Sequence, residues 1–303
     1  MRVLQFIALL LLIAILIIGG YAIWLNYPRE PVDYKPFYGN NSYTNLTGRQ
    51  FYPNMRFPGR KISYSLEQLC DNIKKKAVED AFSIISDKTI LTFYESEEDP
   101  EIKIFCSEVV PEPEQEGHFI AGEGGPTEII NTTLFNVIKT GKISLFRPEI
   151  CDQPKITLHE LFHVLGFNHN NNSDSIMYPT TSCQQEIDSS ILNEINKIYV
   201  INSYPDLSIE EVNASQKGNY LDFGIGIINS GLKDSRNSSL SILSDGKKIK
   251  DFDLGEIDIG MRKFLQIKNL RVIGGSDKIT FIIETNEDEI SKDNNKAELN
   301  ALS

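Results

Sequence analysis

Histidine and tryptophan are scarce in this sequence, with four His and one Trp in 303 residues. Cysteine is held to four residues, and no internal repeat is evident. Positive charge is also short: 30 Lys and Arg stand against 42 Asp and Glu, for a formal net charge of −12. No basic run interleaves with aromatics. Nucleic acid is thereby excluded as a partner, because binding it needs a concentrated positive surface. The acidity is otherwise a solubility feature. What is present in quantity is core-forming material: 41% hydrophobic and 10% aromatic residues exclude a chain disordered throughout. The length fits two domains of ordinary size plus extras.

Long hydrophobic runs are absent except at the N-terminus. Val3 to Leu25 carries no charge and Phe6 to Ile18 is wholly apolar. Roughly 20 apolar residues cross a hydrocarbon core, so residues 1–25 are expected to be a transmembrane anchor or a signal segment. Gly20-Tyr21-Ala22 is a passable cleavage site, but the run exceeds a usual signal core. Flanking charge does not set the orientation. The even cysteine count and six N-x-[ST] acceptors, at Asn40, Asn45, Asn131, Asn171, Asn213 and Asn237, place the rest outside the cytoplasm. The expected location is the cell membrane, single-pass, or secreted if the segment is cleaved. Four cysteines allow three pairings. Cys70–Cys106 with Cys151–Cys183 is favoured over the others and over buried free thiols.

Beyond the apolar segment, residues 26–54 lack periodicity and read as a juxtamembrane stalk. Residues 55–203 alternate strands and helices. Ile62-Ser63-Tyr64 is a strand signal, and Ser65 with Gln68 suggests a capping box opening a helix. That helix aligns Leu66, Leu69, Cys70, Ile73, Ala77, Ala81 and Phe82. Strands are expected near 89–94, 101–106, 128–131 and 142–146, and helices over 156–166 and 186–200. Gly122 to Gly125 is read as a structural turn; it lacks the Gly-Lys-Ser/Thr ending of a phosphate loop. Pro205 marks a boundary. In residues 204–303 the pattern turns to period two, with Leu221, Phe223, Ile225 and Ile227 alternating, and about seven short strands suggest a β-sandwich.

The chemistry is concentrated in Thr157-Leu158-His159-Glu160-Leu161-Phe162-His163-Val164-Leu165-Gly166-Phe167-Asn168-His169. Three of the four histidines fall in this stretch. His159 and His163, four apart on a helix, share a face and can chelate one ion. Glu160 then sits beside the metal, where it can take a proton from a water the ion activates. Gly166 ends the helix and lets the chain turn back, bringing His169 as a third ligand. Three protein ligands leave one position open, the mark of a catalytic zinc site. An amphipathic core helix that merely contains histidines does not account for this spacing.

This stretch, followed by Ser175-Ile176-Met177-Tyr178-Pro179, resembles the metzincin clan of zinc metalloendopeptidases, closest to its matrixin-like members. The resemblance covers roughly residues 55–203. It implies a twisted mixed sheet with long helices, one catalytic Zn2+ held by His159, His163 and His169, Glu160 as general base, and Met177 in a turn forming an apolar floor without ligating. The prodomain cysteine motif of matrixins is absent. His118, the remaining histidine, is read as an ordinary surface or strand residue, and Tyr178 is not assigned to the metal. Thr181 stands where matrixins often carry a pocket-shaping tyrosine. The Gly-rich stretch lies where the resemblance places a substrate-binding edge strand.

The C-terminal part resembles the CARDB family of immunoglobulin-like domains, through Asp206-Leu207, Asn229-Ser230-Gly231 and Asn294-Asn295. The expected fold is thus an α+β metzincin-like catalytic domain followed by an all-β immunoglobulin-like sandwich, behind an N-terminal transmembrane helix. The acidic run Glu284 to Asp293 raises Ca2+ as a second ion, against the plainer reading of a solvated turn. The expected function is zinc-dependent hydrolysis of peptide bonds in extracytoplasmic proteins, with protein or peptide as substrate. The rival is a non-catalytic cell-surface adhesion or scaffold protein with a degenerate protease-like domain. Glu160 argues against the rival, since a structural metal site has no use for the base.

Overall fold

Two large hydrophobic clusters organise the chain, one joining strands and helices between residues 55 and 199, the other built from strands between 207 and 299. The computed structural model describes residues 2–26, 32–37, 49–107, 109–111, 120–272 and 276–301. The N-terminal segment forms helix α1 (Arg2–Asn26) and strand β1 (Val32–Phe37). A mixed unit follows: β2 (Met55–Arg56), β3 (Lys61–Leu66), α2 (Asn72–Lys88), β4 (Thr92–Glu95), β5 (Ile102–Cys106), β6 (Gly122–Asn131), β7 (Asn136–Leu145), α3 (Lys155–Val164) and α4 (Ser189–Tyr199). Seven strands complete the chain: β8 (Leu207–Lys217), β9 (Tyr220–Asn229), β10 (Ser235–Ser244), β11 (Lys247–Ile257), β12 (Arg262–Arg271), β13 (Lys278–Thr285) and β14 (Lys296–Ala301).

The sheet of the mixed unit runs β2-β7-β5-β3-β4, with β6 on the other edge of β7. All its pairings are parallel except β6–β7. The outer edge of β6 pairs with no strand among the described residues, a point that matters for the site. α3 is buried along its whole length, while α4 buries Ile191, Ile195 and Ile198 at helical spacing. Each such isoleucine contributes about 1.5–3 kcal/mol relative to exposure.

Three sequence expectations shift here. The helix expected to open at Ser65 begins at Asn72, because Ser65 and Leu66 pair in β3 with Lys103 and Ile104. Asp71 is the cap instead, its Oδ1 accepting the Lys74 N–H at 2.8 Å. Leu69 and Ile73, expected on the inner face, are exposed. Gly122 to Gly125 is not a turn but the first part of β6, in register with Leu145 to Lys142. The stalk is not structureless either: β1 lies within it and pairs with both β14 and β8.

The favoured cysteine pairing holds: Cys70–Cys106 and Cys151–Cys183 are disulfide-bonded, and no free cysteine remains. The first ties the entry to α2 to the end of β5. The second joins the approach to α3 with the loop beyond Met177. Asn131, Asn171, Asn213 and Asn237 are exposed. Asn40, Asn45 and His118 lie outside the described residues.

The seven C-terminal strands form two antiparallel layers, β11-β10-β13-β14 and β8-β9-β12, around a core that includes Leu221, Phe223, Ile225, Leu240 and Phe281. β1 bridges the layers between β14 and β8. The acidic run Glu284 to Asp293, considered for Ca2+, gathers no metal-like cluster among the described residues. Its carboxylates serve the backbone: Glu289 accepts the Leu207 N–H and Glu287 the Arg236 N–H. Asp234, Glu256 and Asp258 do bring their oxygens together elsewhere on the sandwich, and Asp234 there accepts the Ile259 N–H.

Helix α1 has 25 residues with Arg2 its only charge, and the described side chains from Leu9 to Ile23 are exposed. Among the described residues no helix is long and apolar enough to cross a membrane.

Candidate metal centre

Helix α3 starts without a cap from its own first residue, since Pro154 supplies none. Glu149 takes that role from the preceding loop, accepting the N–H groups of Ile156 and Thr157 at 3.3 and 2.9 Å. Burial pushes the Glu149 carboxyl up, while the helix N–H bonds pull it back. The helix ends in a Schellman arrangement: Phe167 N–H donates to the Phe162 carbonyl and Gly166 N–H to that of His163. Gly166 has φ +96°, and a Cβ there would lie 2.8 Å from Met55 Cγ. Glycine is required on both counts.

This reversal brings the three histidines together. The Nε2 atoms of His159, His163 and His169 are each 3.1 Å from the other two. His159 Nδ1 lies 2.6 Å from the Ile176 carbonyl and His163 Nδ1 2.8 Å from the Phe167 carbonyl. A carbonyl only accepts, so both Nδ1 atoms carry the proton and both Nε2 atoms present lone pairs. Two lone pairs at 3.1 Å repel unless a cation lies between them. A tetrahedral centre with Zn–N bonds of ~2.0–2.1 Å separates its nitrogens by about 3.4 Å, within a few tenths of an ångström of this triangle. The three side chains could hold one metal ion. Burial pushes His159 and His163 down to about 4 and lowers His169 as well, which keeps all three neutral and ready to ligate.

Glu160 is buried beside the triad, and burial, helped by the charge of Glu123, pushes its carboxyl up to about 8. The backbone N–H of Gly124 bonds to it and works in the opposite direction, as would a divalent cation alongside. Here the glycines of β6 find their use. A Cβ on Gly124 would fall 2.3 Å from the Glu160 carbonyl oxygen, and one on Gly122 2.8 Å from Glu160 Cγ. Only a strand without side chains at 122 and 124 can lie directly on this turn of α3. The alternation Gly-x-Gly was the available signal, and it reads as a turn only when strand pairing is unknown.

The Met177 turn is held by Ser175, whose hydroxyl receives the Met177 N–H and the Asn170 amide and donates to Asp188. Met177 is fully buried in the core of the mixed unit, and its neighbour Ile176 supplies the carbonyl for His159. Tyr178 is engaged through its backbone N–H on Ser175, and Thr181 is exposed. Segment 49–51, within the stretch expected to be a stalk, packs against this site. Gln50 bridges Phe167, Asn168 N–H donates to the Arg49 carbonyl, and the Phe51 ring stacks on His163 at 5.8 Å.

These features coincide with a family boundary. Residues 59–200 match the matrixin family model. The matrixin-like segment thus runs from β3 through α4 and contains the three histidines, Glu160 and Met177. No curated protein matches the chain. Among solved structures, it is similar to the CARDB domain of a Pyrococcus furiosus protein in complex with di-metal ions, at 15% identity over 33% of this chain and 88% of that one, with a TM-score of 0.27. It is also similar to a domain of a Methanosarcina acetivorans cell surface protein, at 18% identity over 33% and 93%, with a TM-score of 0.26.

Proposed function

We propose that the chain is a zinc endopeptidase acting outside the cytoplasm. One observation carries this reading: three histidine Nε2 atoms, two with their tautomers fixed by carbonyls, converge at 3.1 Å beside a buried glutamate. His159, His163 and His169 would hold the ion. When bound, zinc supplies a Lewis acid that lowers the pKa of water toward ~7 and polarises a carbonyl. Glu160 takes the proton of the attacking water and returns it to the leaving amine. The Gly124 N–H orients that carboxylate. The open edge of β6 can accept an extended peptide as an added strand, which sets the scissile bond beside Glu160. Met177 supports the centre as buried packing.

Helix α1 would anchor the chain in a bilayer. Its 25 residues rise about 37 Å at 1.5 Å each, and the apolar side chains described along it are exposed, as a lipid-facing helix requires. The two disulfides and the exposed N-x-[ST] acceptors fit an oxidising compartment.

Glu160→Gln tests the mechanism. The variant should keep its zinc and fold and lose hydrolysis by orders of magnitude on a peptide library. Near-normal turnover would refute the base. A wild-type protein that binds zinc and cuts nothing would instead favour the scaffold reading.

A further inference from the structure

The hairpin β6–β7 has one end on Glu160 and the other buried in the sandwich. At its tip, Leu134, Phe135 and Val137 form one apolar cluster with Leu232 and Ile259 of the sandwich. Leu232 is 0% exposed and Phe135 4%, so this contact is dry. Thr132 Oγ1 donates to the Ser230 carbonyl at 3.0 Å and receives the Phe135 N–H at 3.0 Å, tying the hairpin turn to the sandwich loop. Gly260 has φ +73°, and a Cβ there would fall 2.5 Å from Ile130 Cγ2. The 258–261 turn is therefore pressed against β6 itself. At ~3.3 Å per residue the ten residues of β6 span roughly 33 Å. Its outer edge has no partner strand among the described residues, so β7 and the two ends alone fix its position.

We propose that the sandwich is a positioning element for the cleft: its 230–232 and 258–260 loops clamp the hairpin tip and hold the glycine end of β6 down on Glu160. A domain that only spaced or displayed the catalytic unit would have no need of a dry, hydrogen-bonded contact with the strand that faces the base. The clamp acts on the site described above and rests on its peptidase reading. Its structural half can be measured without activity.

The experiment uses the full chain carrying Leu232→Ala with Ile259→Ala, beside Ile279→Ala as a control in the sandwich core away from the hairpin. Amide hydrogen exchange over 122–131, zinc per chain, kcat and KM are read together. The clamp predicts at least tenfold faster exchange in β6 and a tenfold or greater fall in kcat, at unchanged zinc content, with KM moving less. Leu232→Met should restore both. Unchanged β6 exchange in the double variant overturns the clamp, and so does an equal rise in the control. Should the double variant not fold, Leu232→Ala alone, which leaves the hairpin's own bonds intact, carries the same test at about threefold. If the wild-type chain hydrolyses no peptide, the endopeptidase reading fails while the exchange data still decide the clamp.

Discussion

Because His159 and His163 already donate through Nδ1, neither can relieve the other's Nε2 by a hydrogen bond; His169 can donate to only one of them, so a cation is what satisfies all three nitrogens at once. His169→Ala should consequently release zinc, measurable as loss of metal per chain after dialysis, while the α3 fold persists. Phe51→Ala should weaken retention more mildly, by about tenfold in apparent affinity, the effect expected for outer groups that orient a ligand. Gly124→Ala is sharper. The added methyl meets backbone, not a flexible side-chain end, so β6 must lift from Glu160, and kcat should fall a hundredfold or more at unchanged zinc. Activity close to wild type would mean that β6 tolerates displacement there.

At the scale of elements, α3 was legible because helix period and metal chelation demand the same spacing: four residues put two imidazoles on one face, and nothing else needs His, Glu and His at those offsets. α4 was legible through its isoleucines, yet it starts at Ser189 and not at Glu186, since Glu186 donates its N–H to Asp174 and pairs with Ser175 beside the Met177 turn. At β6 two readings part: its glycines look like a turn until Leu145 to Lys142 stand opposite them, whereas the resemblance puts an edge strand there, as the pairing has it. β1 is easily missed in the sequence: the alternation Val32-Asp33-Tyr34-Lys35 is only four residues long and is broken by Pro36. Packing energies at this scale are testable. Ile195→Ala, fully buried under α4, should cost about 2–5 kcal/mol in denaturant unfolding.

For the whole molecule, pH acts on the sandwich through Asp206. Burial raises its carboxyl from 3.8 to about 6, although Ser291 N–H and the Asn294 amide pull the other way. The folded state then binds more protons than the unfolded one between those values, so this contribution is complete below about 4 and is lost as pH rises through 6. The difference corresponds to about 3 kcal/mol. Asp206→Asn, with the Asn294 amide free to rotate its Oδ1 toward the new donor, should flatten that loss in thermal melts between pH 4 and 7. An unchanged slope would assign the effect elsewhere.

Strand β1 bears on how the polypeptide is made and handled. It lies between β8 and β14, strands that come far later in the chain. The sandwich therefore cannot close until β14 has been synthesised, and closing it joins segments more than 250 residues apart. A recombinant fragment begun beyond Phe37 would bare two ladder edges to neighbouring molecules and should self-associate in sedimentation, where one begun ahead of Val32 stays monodisperse.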